Sequence, residues 1–130
     1  MEKEMLIESL NELPAQIHDL RIRVLDSAKN VDSLEQELYA AEAKLKSEIS
    51  SETEDGSSKK KYPNAEARES EFQIRSSTDS EIVDARVALK EGKESLDKLK
   101  IELEKLNNTM LNYRAISGIL GWKSWSKSQA

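Results

Sequence analysis

Cysteine is absent from this chain of 130 residues. That excludes disulfides and thiolate metal sites. Histidine occurs once, at His18. Zinc sites need several His or Cys ligands. A di-iron bundle needs repeated Glu-x-x-His, and Ala15 stands where that glutamate would be. His18 is therefore expected to be an exposed or partner-facing side chain. Aromatics are scarce, with one Phe, two Trp and three Tyr. A globular core of this length normally draws on more. No apolar run approaches the roughly 20 residues that span a bilayer, so no membrane contact is expected. The start, Met1-Glu2-Lys3-Glu4, lacks the basic and apolar regions of a signal peptide, which makes the cytoplasm the expected location. The four glycines are dispersed and form no phosphate-binding loop. No catalytic constellation stands out, and the expectation is a protein that is not an enzyme and holds no cofactor.

What is present is charge and leucine. Charged residues make up 35% of the chain, with a net charge of −5. This is the composition of long, solvent-washed helices. The negative balance disfavours a general affinity for nucleic acid.

The leucines follow a seven-residue repeat. Leu10, Leu13, Ile17, Leu20, Val24, Ser27, Val31, Leu34, Leu38, Ala41, Leu45 and Glu48 alternate spacings of three and four. Ile82, Ala85, Leu89, Gly92, Leu96, Leu99, Leu103, Leu106, Met110, Tyr113, Ser117 and Leu120 do the same. Both are a/d seams of a coiled coil. Between them, Ser50 to Lys61 is polar and aperiodic, and reads as a loop. Pro63 and Asn64 suit a helix start. Thr78 with Glu81 has the spacing of a capping box.

The predicted fold is all-α: an antiparallel coiled-coil helical hairpin over 1–121 with a short helix at its tip. The long helices are expected over 2–49 and 79–120. A loop over 50–63 and a short helix over 64–75 fill the tip, and a basic tail over 122–130 follows the hairpin. Pro14 lies inside the first seam, and a kink near Asn11 is expected there. Pairing residues whose numbers sum to 130 uses the whole of both seams. It sets Leu38 against Gly92 and Ala41 against Leu89, large against small. A slip of one heptad, to a sum of 123, also avoids pairing small with small. Gly92 reads as a tolerated weak spot, with a close approach or a bend as alternatives.

Apolar residues also occupy outer heptad positions: Ile22 and Leu25 in the first helix, and Val83, Val87, Ile101 and Leu111 in the second. A solitary hairpin should be polar there. These residues are the candidates for a face that joins copies into a homo-oligomer.

Two segments could bind other partners. The tail from Arg114 onward has three basic residues, Arg114, Lys123 and Lys127, and no acids. It carries Trp122 and Trp125, which suit an interface anchor or a stacking platform for unpaired bases. Packing of a tryptophan on the end of the hairpin core is the competing role. At the tip, Lys59, Lys60 and Lys61 precede Tyr62, a possible phosphate contact or simply a solvated loop.

The tip segment Tyr62-Pro63-Asn64-Ala65-Glu66-Ala67-Arg68, followed by a Leu-rich helix that ends Leu111-Asn112-Tyr113-Arg114-Ala115, resembles small helical-hairpin proteins of bacteriophages and integrated elements. Their tip reads Tyr-x-Asn-x-Glu-x-Arg. The resemblance covers about seven residues, and it assigns Tyr62, Asn64, Glu66 and Arg68 to a shared tip structure rather than to an activity. It implies genes beside those for recombination and single-strand annealing, and the cytoplasm of a host cell. The function expected is a protein-interaction module in DNA metabolism. Direct binding of single-stranded nucleic acid through tip and tail is one alternative. Inhibition of a host nuclease or defence complex is another.

Overall fold

A computed structural model describes the backbone from Glu2 to Gln129 and the side chains from Glu2 to Ile119. Three helices follow in order: α1 over Lys3–Ser51, α2 over Ala65–Ser76 and α3 over Ser80–Gln129. The fold is the expected all-α hairpin, with segments of α1 and α3 packed on each other. The residues fall into two units. Unit 1 combines Met1–Ser27 with Ser95–Ala130, and unit 2 is Ala28–Glu94.

Unit 2 shows how the strands of sequence pair. Glu42 meets Arg86 at 4.0 Å, Glu35 meets Lys93 at 3.9 Å, and Lys44 meets Glu81 at 3.7 Å. Numbers fall along α1 as they rise along α3, so the two run antiparallel. Such exposed pairs contribute little stability, typically below about 1 kcal/mol each. The core is apolar: Leu38, Ala41, Leu45, Ile49, Phe72 and Ile82 are buried together, with Tyr62, Ala85 and Leu89 against them. In unit 1, Leu6, Leu13, Ile17 and Leu20 are buried on the α1 side.

The register is the slipped one. A Cβ built on Gly92 would lie 2.7 Å from Leu34 Cδ1 and 3.7 Å from Val31 Cγ2. Val31 is the residue that sums with it to 123; Leu38, the expected neighbour, is not among the nearest. In unit 1, Leu20 shares a surface depression with Glu102 and Leu106, and Leu13 shares one with Thr109 and Tyr113, again near a sum of 123. The reason lies at the tip. A sum of 130 would oppose Ile82 to the charged Glu48 and leave Ile49 and Phe72 without a place. In the observed register Ile49 is buried, Ile82 is fully buried, and Phe72 of α2 covers the last turns of α1. Glu48, the expected end of the first seam, is exposed. Gly92 is a point of close approach rather than a mere weak spot.

α1 runs from Lys3 to Ser51 with the exposed Pro14 inside it. Two local expectations also change. The cap of α3 is Asp79, whose Oδ1 accepts from the Ile82 amide at 3.0 Å. Thr78 instead donates its hydroxyl to the Arg75 carbonyl, and Glu81 reaches Lys44, so the Thr78–Glu81 box does not form. Finally, α3 continues through Gly118 and Gly121 to Gln129, past the expected boundary at 120 between hairpin and tail.

Candidate functional site

The most organised group of polar side chains lies in unit 2, where the loop meets α2. Its construction begins with a turn. Ser57 N–H donates to the Glu54 carbonyl at 3.0 Å, and Gly56 has a φ of 68°. No other described residue has positive φ. That is a type II turn, which favours glycine at its third position. Beyond it, Glu54 N–H donates to Lys59 O at 2.9 Å and Lys61 N–H to Glu52 O at 3.0 Å. The result is one antiparallel bridge, Thr53 with Lys60, inside what the sequence suggested was an aperiodic loop. The bridge brings Glu52 beside the residue pair Lys61-Tyr62.

Asn64 then starts α2. Its backbone is extended and its Oδ1 accepts from the Ala67 amide at 2.7 Å. Glu66 sits exposed in the first turn, where an acid suits the helix dipole. Arg68 reaches back and donates to the Tyr62 carbonyl at 3.3 Å. Thus Tyr62, Asn64 and Arg68 all help build the tip.

Arg75, in the last turn of α2, holds the pieces together. Its Nη1 and Nη2 donate to the two carboxylate oxygens of Glu52 at 2.6 and 2.7 Å. Nε donates to Glu71 at 2.6 Å, and Nη2 also donates to the Tyr62 hydroxyl at 3.3 Å. The guanidinium lies 5.8 Å from the Tyr62 ring centre. A planar fork on a carboxylate is a geometry that lysine could not reproduce. The hydrogen bond from Arg75 is the main cause that holds the Glu52 carboxyl below its ordinary range. Hydrogen bonds to Glu52 and Glu71 raise the Arg75 pKa still further, so its charge is permanent. Both directions favour a structural ion pair over an acid or base that exchanges protons.

No protein-family model, curated protein or solved structure matches the chain. Lys59, Lys60 and Lys61 are exposed, and the Lys61 ammonium lies 5.6 Å from the Tyr62 ring centre. Tyr62 is half-buried against the core, so its ring is not a free stacking platform. Of the outer-face residues, Ile22, Leu25, Val87, Ile101 and Leu111 are exposed, whereas Val83 is half-buried. The side chains of Trp122, Lys123, Trp125 and Lys127 lie outside the described residues. His18 is exposed on α1. Among the described residues, no group of three or more His, Asp or Glu could hold a metal ion, and no helix is long and apolar enough to cross a membrane.

Sequence reasoning singled out neither Arg75, Glu52 nor Phe72. The Glu71–Arg75 pair had a visible signal, its spacing of four on a helix. Glu52 and Arg75 are 23 residues apart across a loop, and no periodicity connects them.

Proposed function

We propose that this chain is a non-enzymatic protein-interaction module that acts as a self-associating helical hairpin. The observation that carries the reading is the incomplete burial of unit 1. On its α3 side, Leu96, Leu99, Leu103, Leu106, Met110 and Tyr113 are all seam residues, and all are only half-buried. Around them Met5, Ile7, Ile22, Leu25, Ile101, Leu111, Ile116 and Ile119 are 38–61% exposed. Scattered exposed aliphatics are ordinary, but so many on two short helical segments leave apolar area for another layer.

A second copy is the occupant we favour. The α1 segment of unit 1, residues 2–27, carries six acids against three bases. The α3 segment over 95–119 carries three acids against four bases. A two-fold arrangement with α1 of one copy on α3 of the other would match these charges twice. The tip resemblance supports a bacteriophage or integrated-element origin and a partner in DNA recombination or replication. Single-strand binding at the tip is less well supported, because the Tyr62 ring is engaged by the core and by Arg75.

Sedimentation equilibrium over a range of concentrations tests the premise. A mass that is a multiple of 14.7 kDa is expected. A monomer at every concentration would remove the self-association reading.

A further inference from the structure

The chain's one histidine stands in a second, shorter stripe on α1. Ala15, His18, Ile22 and Leu25 follow one another at spacings of three, four and three, so they share one face of the helix. The next positions along that face are Asn11 and Lys29, and the stripe between them carries no acid, lysine or arginine. All four residues belong to unit 1 and all four are exposed, whereas Leu13, Ile17 and Leu20 of the first seam are buried. Among the described residues, His18 has no carboxylate within 4.0 Å. The charges nearest to it along α1 are Asp19, the next residue, and Arg21, almost one turn on; both are exposed. Ile22 and Leu25 belong to the apolar surface assigned above to a second copy. A side chain four positions from one and seven from the other, on the same face, is covered when they are.

From this placement we infer that His18 makes the association of two copies pH-dependent: the copies join while its imidazole is neutral and separate as it takes up a proton. Histidine is the side chain that ordinarily changes charge between about pH 5 and 8. An exposed imidazolium is hydrated. Between Ile22, Leu25 and a covering helix it would lose that water, which disfavours the charged form. The covering helix acts in the same direction. In the charge-matched arrangement it is α3 of the other copy over 95–119, where Lys98, Lys100, Lys105 and Arg114 outnumber Asp97, Glu102 and Glu104. Arg21 also opposes a proton on His18, and Asp19 favours one. Separated copies therefore bind more protons than joined ones, and association weakens as pH falls. A two-fold dimer holds His18 twice, so the effect counts twice. The tip takes no part, because the Glu52 carboxyl is held below its ordinary 4.5 by Arg75 and stays ionised across that range. The inference rests on the self-association reading and adds the regulation of that surface.

Sedimentation equilibrium of the full chain at about pH 7.5 and about pH 5.5 brackets the range in which histidine changes charge. The dimer dissociation constant should rise by about tenfold or more at the lower pH, since a histidine that holds its proton ten times less tightly in the joined state weakens association tenfold once it is protonated. His18→Gln keeps a neutral polar side chain at both pH values, and its dimer should lose the pH response. His18→Lys carries a charge at both, and should associate about tenfold or more weakly than wild type even at the higher pH. Both changes fall at an exposed position of the single chain, and circular dichroism checks that the helices remain. The inference is overturned by a wild-type constant that is the same at both pH values, or by tighter association in acid, as when a carboxylate of the other copy meets the imidazolium. A His18→Gln dimer that keeps the wild-type response, or a His18→Lys dimer as tight as wild type, overturns it too. A dimer indifferent to pH removes this inference alone and leaves self-association standing; a monomer at every concentration and both pH values removes both.

Discussion

Arg75 is a single side chain whose donors serve Glu52 before the loop, Tyr62 after it and Glu71 on its own helix. Its loss should therefore loosen the tip while α1 and α3 stay helical. The pH dependence can be worked out from Glu52. Its folded pKa lies below the ordinary value of 4.5, through the Arg75 hydrogen bond. A carboxylate lowered in the folded state contributes stability above its unfolded pKa, and loses it as pH falls through the folded one. Glu52→Gln should thus melt below wild type at neutral pH, and the gap should close once the pH drops below the glutamate range. Thermal melts of the two proteins across acid pH check this; a gap that persists in acid would mean that Glu52 acts through packing. Gly92 offers a second residue-level prediction. Ala there gains about 1 kcal/mol of helix propensity but meets Leu34 Cδ1 at 2.7 Å. That atom ends a flexible, half-buried side chain, which can rotate away at a cost of about 0.5–1.5 kcal/mol. Gly92→Ala should leave stability within about 0.5 kcal/mol of wild type in urea titration. Gly92→Val cannot be relieved by one rotamer change and should cost about 1–3 kcal/mol.

At the scale of elements, α2 acts as a lid on the last turns of α1. It is short, at 12 residues, and polar on average. Helices of that length are marginal alone and depend on tertiary contacts. Phe72 is its one large buried side chain. Phe72→Ala should uncover Ile49 and Leu45, cost about 3–5 kcal/mol, and speed amide exchange throughout α2. Asn64→Ala should cost about 1 kcal/mol through loss of the cap, with exchange faster in the first turn only. These elements also mark how far the sequence could be read. The two seams were legible because leucine every three or four residues has one physical explanation in a polar chain. Their register was not, because a heptad pattern looks the same after a shift of seven. Phe72 and Ile49 break that degeneracy, yet both stand outside the a/d pattern. Beyond Ala41 the buried residues are Leu45 and Ile49, two steps of four in succession, so the apolar stripe rotates about α1 toward α2. The caps differed in the same way. Asn64 beside a proline announces a helix start, but Thr78 and Asp79 both qualify at α3, and the geometry of the preceding turn selects Asp79. The tip cluster was half-legible: Tyr62, Asn64 and Arg68 are adjacent in sequence, whereas Arg75 meets Glu52 only once the loop has folded.

For the whole molecule, the apolar surface left over in unit 1 bears on how stability responds to concentration. A hairpin that folds alone has a melting temperature independent of protein concentration. A chain whose fold is completed by a second copy is stabilised by mass action, by about 1.4 kcal/mol of dimer for each tenfold rise in concentration. We expect that dependence in wild type. The residues to perturb are Ile22 and Ile101, which are 44% and 52% exposed and contribute little to the core of one copy. A lysine at either place should be tolerated by a monomer, since exposed positions accept charge within about 0.5 kcal/mol. In a dimer the same lysine would be buried against apolar neighbours, and its desolvation would oppose association. Ile22→Lys and Ile101→Lys should therefore flatten the concentration dependence and lower the melting temperature most at high concentration. Phe72→Ala, in unit 2, should lower the melting temperature at every concentration and leave the slope intact. If wild type shows no slope, or the lysine variants melt as it does throughout, the exposed stripes are not a seam between copies.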